Sequence, residues 1–335
     1  MNVTAPSPDL PADQASRLRA MVEAMRRGGS VPDAAPDRGE ARPVQPEAKR
    51  APIIAITSGK GGVGKTTLAV NVSIALAARS LRVTLVDADL GMANADVMCG
   101  LNPTRRLDRL ISEPGRGAES LGVDAPGGFR LIPGAAGLAH LAGLDRDRYA
   151  TLLDGLRDLA TSSDALLIDT GAGIGPGVTT FCEGADLTIV VVTPEPTSIA
   201  DAYGMIKCLA RRGKLGIELP LLLVNQATSK EEARAVHARI AGVAERFLKA
   251  RPSLCGWIPS DDASSRCVRK RVPLLLGEPD SRAAAGIRFF AGSVAERLGI
   301  DRKPPPRAPQ FWGALSRIVG LPSGAAFADR TIGAV

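Results

Sequence analysis

Apolar positions along the chain fall into distinct regimes. Between residues 13 and 27, Leu18, Met21, Val22 and Met25 recur at helical spacing, with Asp13 as N-cap or first-turn acid and Gly28-Gly29 as the stop. Residues 31–52 lose periodicity: Pro32, Pro36, Pro43, Pro46 and Pro52 stand among alanines and alternating charges. Such a stretch cannot bury a core, so it predicts an extended linker that tethers the first helix instead of packing it. From residue 53 onward, continuous apolar runs of strand length recur at 53–57, 83–86, 131–132, 165–168, 187–192, 221–224 and 254–258. Patterns of helix length lie between most of them, as at 66–79, 149–160, 199–212 and 231–250. Apolar strands alternating with helices predict an α/β fold, a doubly wound and mostly parallel sheet covered on both faces. Ligands of such sheets sit beyond the carboxyl ends of the strands.

One further amphipathic segment spans 310–320, where Phe311, Trp312, Leu315, Ile318 and Val319 share a helical face and Ser316 and Arg317 lie off it. It is too short to cross a bilayer, but an aromatic edge with flanking cations suits an interfacial helix. The expected organisation is a helix in 1–30, a linker over 31–52, an α/β domain over 53–300 and a tail over 301–335.

Composition narrows the class. Hydrophobic residues make up 45% and charged residues 23% of the 335, ordinary values for a globular protein. The formal charge of +7 is spread along the chain, and residues 1–52 are nearly balanced. Cys99, Cys182, Cys208, Cys255 and Cys267 are odd in number and never spaced CxxC, which argues for reduced thiols and against a disulfide scaffold or zinc knuckle. His140 and His237 are the only histidines, so a His-based metal site is not expected. No apolar run reaches the roughly 18 residues of a membrane span, and the opening MNVTAPSPDL lacks a signal pattern, so a cytoplasmic chain is expected.

The chemistry is concentrated just after strands. Residues 59–66, GKGGVGKT, match GxxxxGK[ST] between a strand and a helix. In such a P-loop the glycines (Gly59, Gly61, Gly62, Gly64) turn backbone N–H groups toward phosphates, with Val63 between them and Thr67 behind. Lys65 neutralises β/γ oxygens, and the Thr66 hydroxyl binds Mg²⁺. The second strand ends in Asp87 and Asp89, which face the same side of an extended chain. Residues 166–171, LLIDTG, have the Walker B form, in which Asp169 holds Mg²⁺ through water and the Gly171 N–H senses a γ-phosphate.

With Lys60 directly after Gly59, the string SGKGGVGKTT resembles the deviant Walker A loop of the MinD/ParA ATPases, of the SIMIBI type. The resemblance covers residues 53–298 and implies ATP and Mg²⁺ as cofactors and a homodimer formed on ATP binding. In it Lys60 contacts the partner's nucleotide, Asp89 orients the attacking water and Asp87 supports the Mg²⁺ region. It also places Asn225 at the adenine, where an amide offers both a donor and an acceptor, and Pro259 in a turn closing over the base. Glu195 reads as a helix cap rather than a catalytic group.

Within that family the runs PEPTSIADAY (194–203) and IPSDD (258–262), and DQASRLR at 13–19, resemble the flagellar-number regulators of the FlhG/FleN type. That resemblance implies a slow ATPase switch regulating flagellar number or placement, peripheral on the inner face of the cell membrane in its ATP state. Its implied partners are an SRP-type flagellar GTPase, met through Asp13, Gln14 and Leu18, flagellar switch proteins, and the membrane, met through Phe311, Trp312, Leu315 and Ile318. Two alternatives stay open: a ParA-like partitioning ATPase that binds DNA through Arg266, Arg269, Lys270 and Arg271, and a nucleotide-held scaffold with negligible turnover. A solvated helix face explains the four basic residues equally well and acidic residues follow at 278–280, so DNA binding is not expected.

Overall fold

The computed structural model describes residues 50–89, 91–112, 117–135, 146–212 and 219–300. The helix expected at 13–27, the linker up to residue 49 and the tail from 301 lie outside the described residues. The core begins with β1 (Ile53–Ser58), followed by α1 (Lys65–Ala77), β2 (Val83–Ala88) and two single-turn helices, α2 (Ala95–Met98) and α3 (Arg109–Ser112). Next come β3 (Val123–Ala125), β4 (Phe129–Ile132), α4 (Arg146–Ser162), β5 (Ala165–Ala172), α5 (Pro176–Gly184), β6 (Leu187–Val192) and α6 (Pro196–Arg212). The chain then runs through β7 (Leu221–Ala227), α7 (Lys230–Leu248), β8 (Leu254–Pro259), α8 (Asp262–Lys270), α9 (Leu274–Gly277) and α10 (Arg282–Arg297).

The strands form one sheet in the order β3-β4-β2-β5-β1-β6-β7-β8, parallel throughout except for the β3–β4 pair. Every residue of β1 is buried, as its uninterrupted apolar run requires of a central strand covered on both faces. Alternation along the strands sorts the side chains into two layers. Ile54 and Ile56 of β1, Leu167 of β5 and Ile189 and Val191 of β6 pack against Leu68 and Val72 of α1 and Phe290 and Val294 of α10. On the opposite face Ile53, Leu166 and Ile168 meet Leu156 and Leu159 of α4 and Phe181 of α5. That face continues with Val190, Val192, Leu222 and Val224 against Met205 and Ile206 of α6 and Val236 and Ile240 of α7. Right-handed crossovers put α1 and α4–α7 on opposite faces, because the β1–β2 connection runs one way along the sheet and the later ones run the other. This reversal opens a crevice at the carboxyl end of β1.

The doubly wound, mostly parallel α/β fold expected from the sequence is therefore the observed one, with one unforeseen antiparallel edge at β3. No helix among the described residues is long and apolar enough to cross a membrane. All five cysteines are free thiols.

Candidate nucleotide site

The loop between β1 and α1 occupies that crevice. Gly62 and Gly64 have φ of 79° and 89°, the left-handed region that glycine enters without strain. Gly64 is the N-cap of α1 and no side chain caps this helix, so its first N–H groups remain available to an anion. The loop leans on the far half of the sheet as well. Asn225, near the end of β7, donates from Nδ2 to the Val63 carbonyl oxygen at 2.8 Å. The Val63 side chain itself is buried in the core. Gly59 faces α6, where an added Cβ would fall 2.1 Å from the Asp201 carbonyl oxygen.

Two cavities flank the loop. One, of about 760 Å³, is lined by Gly61, Lys65, Thr66, Asp89, Asn94 and Gly171, among others. The second, of about 430 Å³, runs beside Gly62 and Thr67 to Asn225, Gln226, Pro259 and Arg269. The first has the cation Lys65, hydroxyls and glycines suited to phosphates; the second has the amides of Asn225 and Gln226, suited to a base. Gln226 and Arg269 enter this second cavity without any signal in the sequence pattern. Gln226 has a φ of 60°, a conformation that costs a non-glycine residue free energy and is concentrated at functional sites. Arg266, of the same basic run as Arg269, pairs with Glu278. One of the four basic residues is thus neutralised and another lines the nucleoside cavity, which weakens the DNA-binding alternative.

The electrostatics beneath the loop are unusual. Asp87 and Asp169 are register neighbours across β2 and β5, and both are buried. Asp87 is well served. Its Oδ2 accepts from the N–H groups of Asn94 and Ala95, each at 2.9 Å, and its Oδ1 from that of Asp89 at 3.2 Å, so the carboxylate holds the start of α2. Asp169 has no such support: neither carboxylate oxygen receives a hydrogen bond. Burial, and then the Asp87 carboxylate, raises Asp169 well above the usual carboxylate range. Lys65 is also buried; desolvation lowers its pKa while Asp169 and Asp89 oppose that shift. Asp89 sits higher at the mouth, its Oδ1 accepting from the Met92 N–H at 3.0 Å and the Gly91 N–H at 3.2 Å.

A buried carboxylate without a hydrogen bond costs several kcal/mol unless something compensates it. A divalent cation held by the Thr66 hydroxyl and Asp169 would supply that compensation, and the glycine cradle leaves room for phosphates above Lys65. The residues present therefore fit Mg²⁺ and a nucleoside triphosphate.

Lys60 does not enter either cavity. Its Nζ donates to Glu195 Oε2 and, at 2.9 Å, to Thr197 Oγ1, which turns it toward the start of α6. Beside this pair, the Thr193 N–H just before α6 donates to Ser198 Oγ at 3.0 Å.

Comparison with known proteins agrees with this geometry. Residues 54–274 match the model of the CobQ/CobB/MinD/ParA nucleotide-binding domain. The chain is 38% identical over 272 residues to the antiactivator FleN of Pseudomonas aeruginosa, covering 81% of this chain and 91% of that protein. It is 32% identical to the flagellum site-determining protein YlxH of Helicobacter pylori, over 80% of this chain and 90% of the relative. Among solved structures, the septum site-determining protein MinD of Pyrococcus horikoshii, complexed with Mg-ADP, shares the fold. Its TM-score is 0.60 at 23% identity, over 75% of this chain and 98% of that one.

Proposed function

The chain belongs to the CobQ/CobB/MinD/ParA nucleotide-binding family, and on that premise we propose that it is a MinD-like, Mg²⁺-dependent ATPase that regulates flagellar number or placement as an ATP-gated dimer. The observation that carries the ATPase reading is the buried, unbonded Asp169 beneath the Lys65–Thr66 cradle. The flagellar part is supported by the similarity to FleN and YlxH over most of each chain.

The residues divide the work. Lys65 and the loop N–H groups bind β/γ-phosphate oxygens, while Asn225 and Pro259 frame the base. Thr66 and, through water, Asp169 would hold Mg²⁺, which would supply positive charge to the phosphates. Asp89 at the mouth orients the attacking water, and Asp87 fixes the loop that carries Asp89. Lys60 leaves Glu195 to reach the nucleotide of a second copy. Because Lys60 stays across the interface only while a γ-phosphate charge is there, hydrolysis releases the dimer.

The appended segments give the switch its output. The face formed by Phe311, Trp312, Leu315 and Ile318 binds lipid marginally by itself, and a dimer presents two of them, so membrane association follows the nucleotide. Asp13 and Gln14, at the start of the helix expected over 13–27, act on an SRP-type flagellar GTPase, with Leu18 in the expected docking stripe and Gln14 orienting a water. The linker over 31–52 lets that happen while the dimer stays on the membrane. Flagellar switch proteins are further partners.

Phosphate release by the full chain under Mg-ATP, with and without anionic vesicles, tests the enzyme against a scaffold of negligible turnover. Vesicle pelleting that is equal in ADP and ATP, or unchanged in Trp312→Glu, removes the membrane part. A peptide of residues 1–29 should stimulate GTP hydrolysis by such a GTPase, and stimulation that survives Asp13→Ala/Gln14→Ala removes the GTPase part.

A further inference from the structure

The loop that carries Asp89 hangs between two anchors. At one end Asp87 closes on the N–H groups of Asn94 and Ala95. At the other, Asp96 of α2 is buried, with Oδ1 accepting from the Val97 N–H at 2.8 Å and Oδ2 from Arg106 Nη2 at 2.7 Å. The second arm of the same guanidinium, Nη1, donates to the Gly134 carbonyl oxygen at 2.9 Å. Gly134 lies close against that loop: an added Cβ would lie 2.6 Å from the Asp87 carbonyl oxygen and 2.6 Å from Ala93 Cβ. The adjoining residues are tied too, as the Leu107 N–H donates to the Pro133 carbonyl oxygen at 2.8 Å. One side chain thus links α2 to the segment that presses on Asp87 and Ala93 from behind.

Arg106 lines neither the phosphate nor the nucleoside cavity. From this arrangement we infer that Arg106 is a positioning residue: its two-armed bond to Asp96 and Gly134 holds the Asp89 loop where its carboxylate can orient water, without contributing to nucleotide binding. The inference rests on the ATPase reading for its catalytic consequence, but the strut itself does not. Only arginine satisfies both acceptors with one planar fork, whereas a lysine amine is a single compact point of charge.

The test compares the full-length wild type with Arg106→Ala and Arg106→Lys in three measurements: affinity for a fluorescent ATP analogue, turnover at saturating Mg-ATP, and amide hydrogen exchange without nucleotide. Arg106→Ala should lose roughly 10–100-fold in kcat with nucleotide affinity within about twofold of wild type, because the carboxylate and not the phosphate cradle is displaced. The Asn94 and Ala95 amides should exchange faster, while those of α1 are unchanged. Arg106→Lys should fold and fall between the two, and it carries the test should Arg106→Ala not fold. Wild-type kcat in either variant overturns the inference, as does an affinity loss that matches the kcat loss. Should the wild type hydrolyse no ATP, the ATPase reading fails, and hydrogen exchange still decides the strut: unchanged exchange at Asn94 and Ala95 sinks it.

Discussion

At the amino ends of the strands, Arg50 meets Asp186 through two hydrogen bonds of 2.7 and 2.8 Å, and Arg82 meets Asp164 at 3.0 and 3.3 Å. At the carboxyl ends of the same sheet, Asp169 is buried with both oxygens unbonded, beside Asp87 and the buried Lys65. The pKa shifts follow the contrast. Burial alone would raise Asp186, but the Arg50 guanidinium and the Ile53 N–H outweigh it and hold this carboxyl below its ordinary value. At Asp169 the nearby Lys65 and Thr66 oppose the shift but do not offset burial and Asp87, which push this carboxyl upward. Strands and packing are common to both ends, so the difference lies in what each end still requires. The amino end is complete by itself. The carboxyl end holds charges that a bound cation and polyphosphate would compensate.

The largest expected effect comes from removing the buried cation. Lys65→Ala should weaken ATP binding at least about 100-fold, since desolvated charge-assisted bonds to phosphate are lost. Its melting temperature without nucleotide should stay level or rise, because burial already disfavours the charged amine. A variant that melts earlier and still binds ATP would place Lys65 with the structural charges of the amino end.

An intermediate effect concerns pH. A carboxyl whose folded pKa is raised, as for Asp169, adds stability below its unfolded pKa and loses it as pH rises through the folded value. Without nucleotide, stability should therefore fall as pH climbs from the ordinary carboxylate range, near 4, toward about 8. Thermal melts across this range should show the slope in the wild type and a flatter profile in Asp169→Asn. Mg-ATP should also flatten the wild-type profile, while Asp169→Asn gains little from Mg²⁺. A slope unchanged in Asp169→Asn would assign it elsewhere, whereas a residual fall between about pH 4 and 6 belongs to Asp87, which burial raises to about 6.

The smallest effect belongs to the amino end. Arg50→Ala removes a half-exposed pair and should cost under about 1 kcal/mol in denaturant unfolding. ATP affinity should not change. Loss of affinity there would mean that the two ends communicate through the sheet.

Much of this contrast was legible before the structure. The seven apolar runs correspond to seven of the eight strands, because the central strands, buried on both faces, leave an unbroken apolar signature and the half-buried edge strand β8 keeps a shorter one. The phosphate loop was legible because its chemistry is local, with glycines, lysine and threonine fixed by one turn. β3 was not, since three residues on an antiparallel edge, only one of them buried, carry no periodicity. Nor were the partners of the site residues. Lys60 meets Glu195 from 135 positions away, Asn225 reaches Val63, and Arg106 joins Asp96 to Gly134. Such pairings arise when crossovers bring distant loops to one end of the sheet, and no local spacing records them. Asp87 illustrates the limit at close range. Its place one residue before Ala88-Asp89 shows two carboxylates on one side, but not that three backbone N–H groups, two of them beyond residue 93, would occupy it.

The claim that the carboxyl end is an ATP-gated dimer switch is tested most directly by the oligomeric state of Asp89→Ala. With the carboxylate proposed to orient water removed, this variant should sediment as a stable dimer in Mg-ATP and as a monomer in Mg-ADP, with phosphate release reduced at least about 100-fold. One species in both nucleotides, or phosphate release at the wild-type rate, would contradict the account.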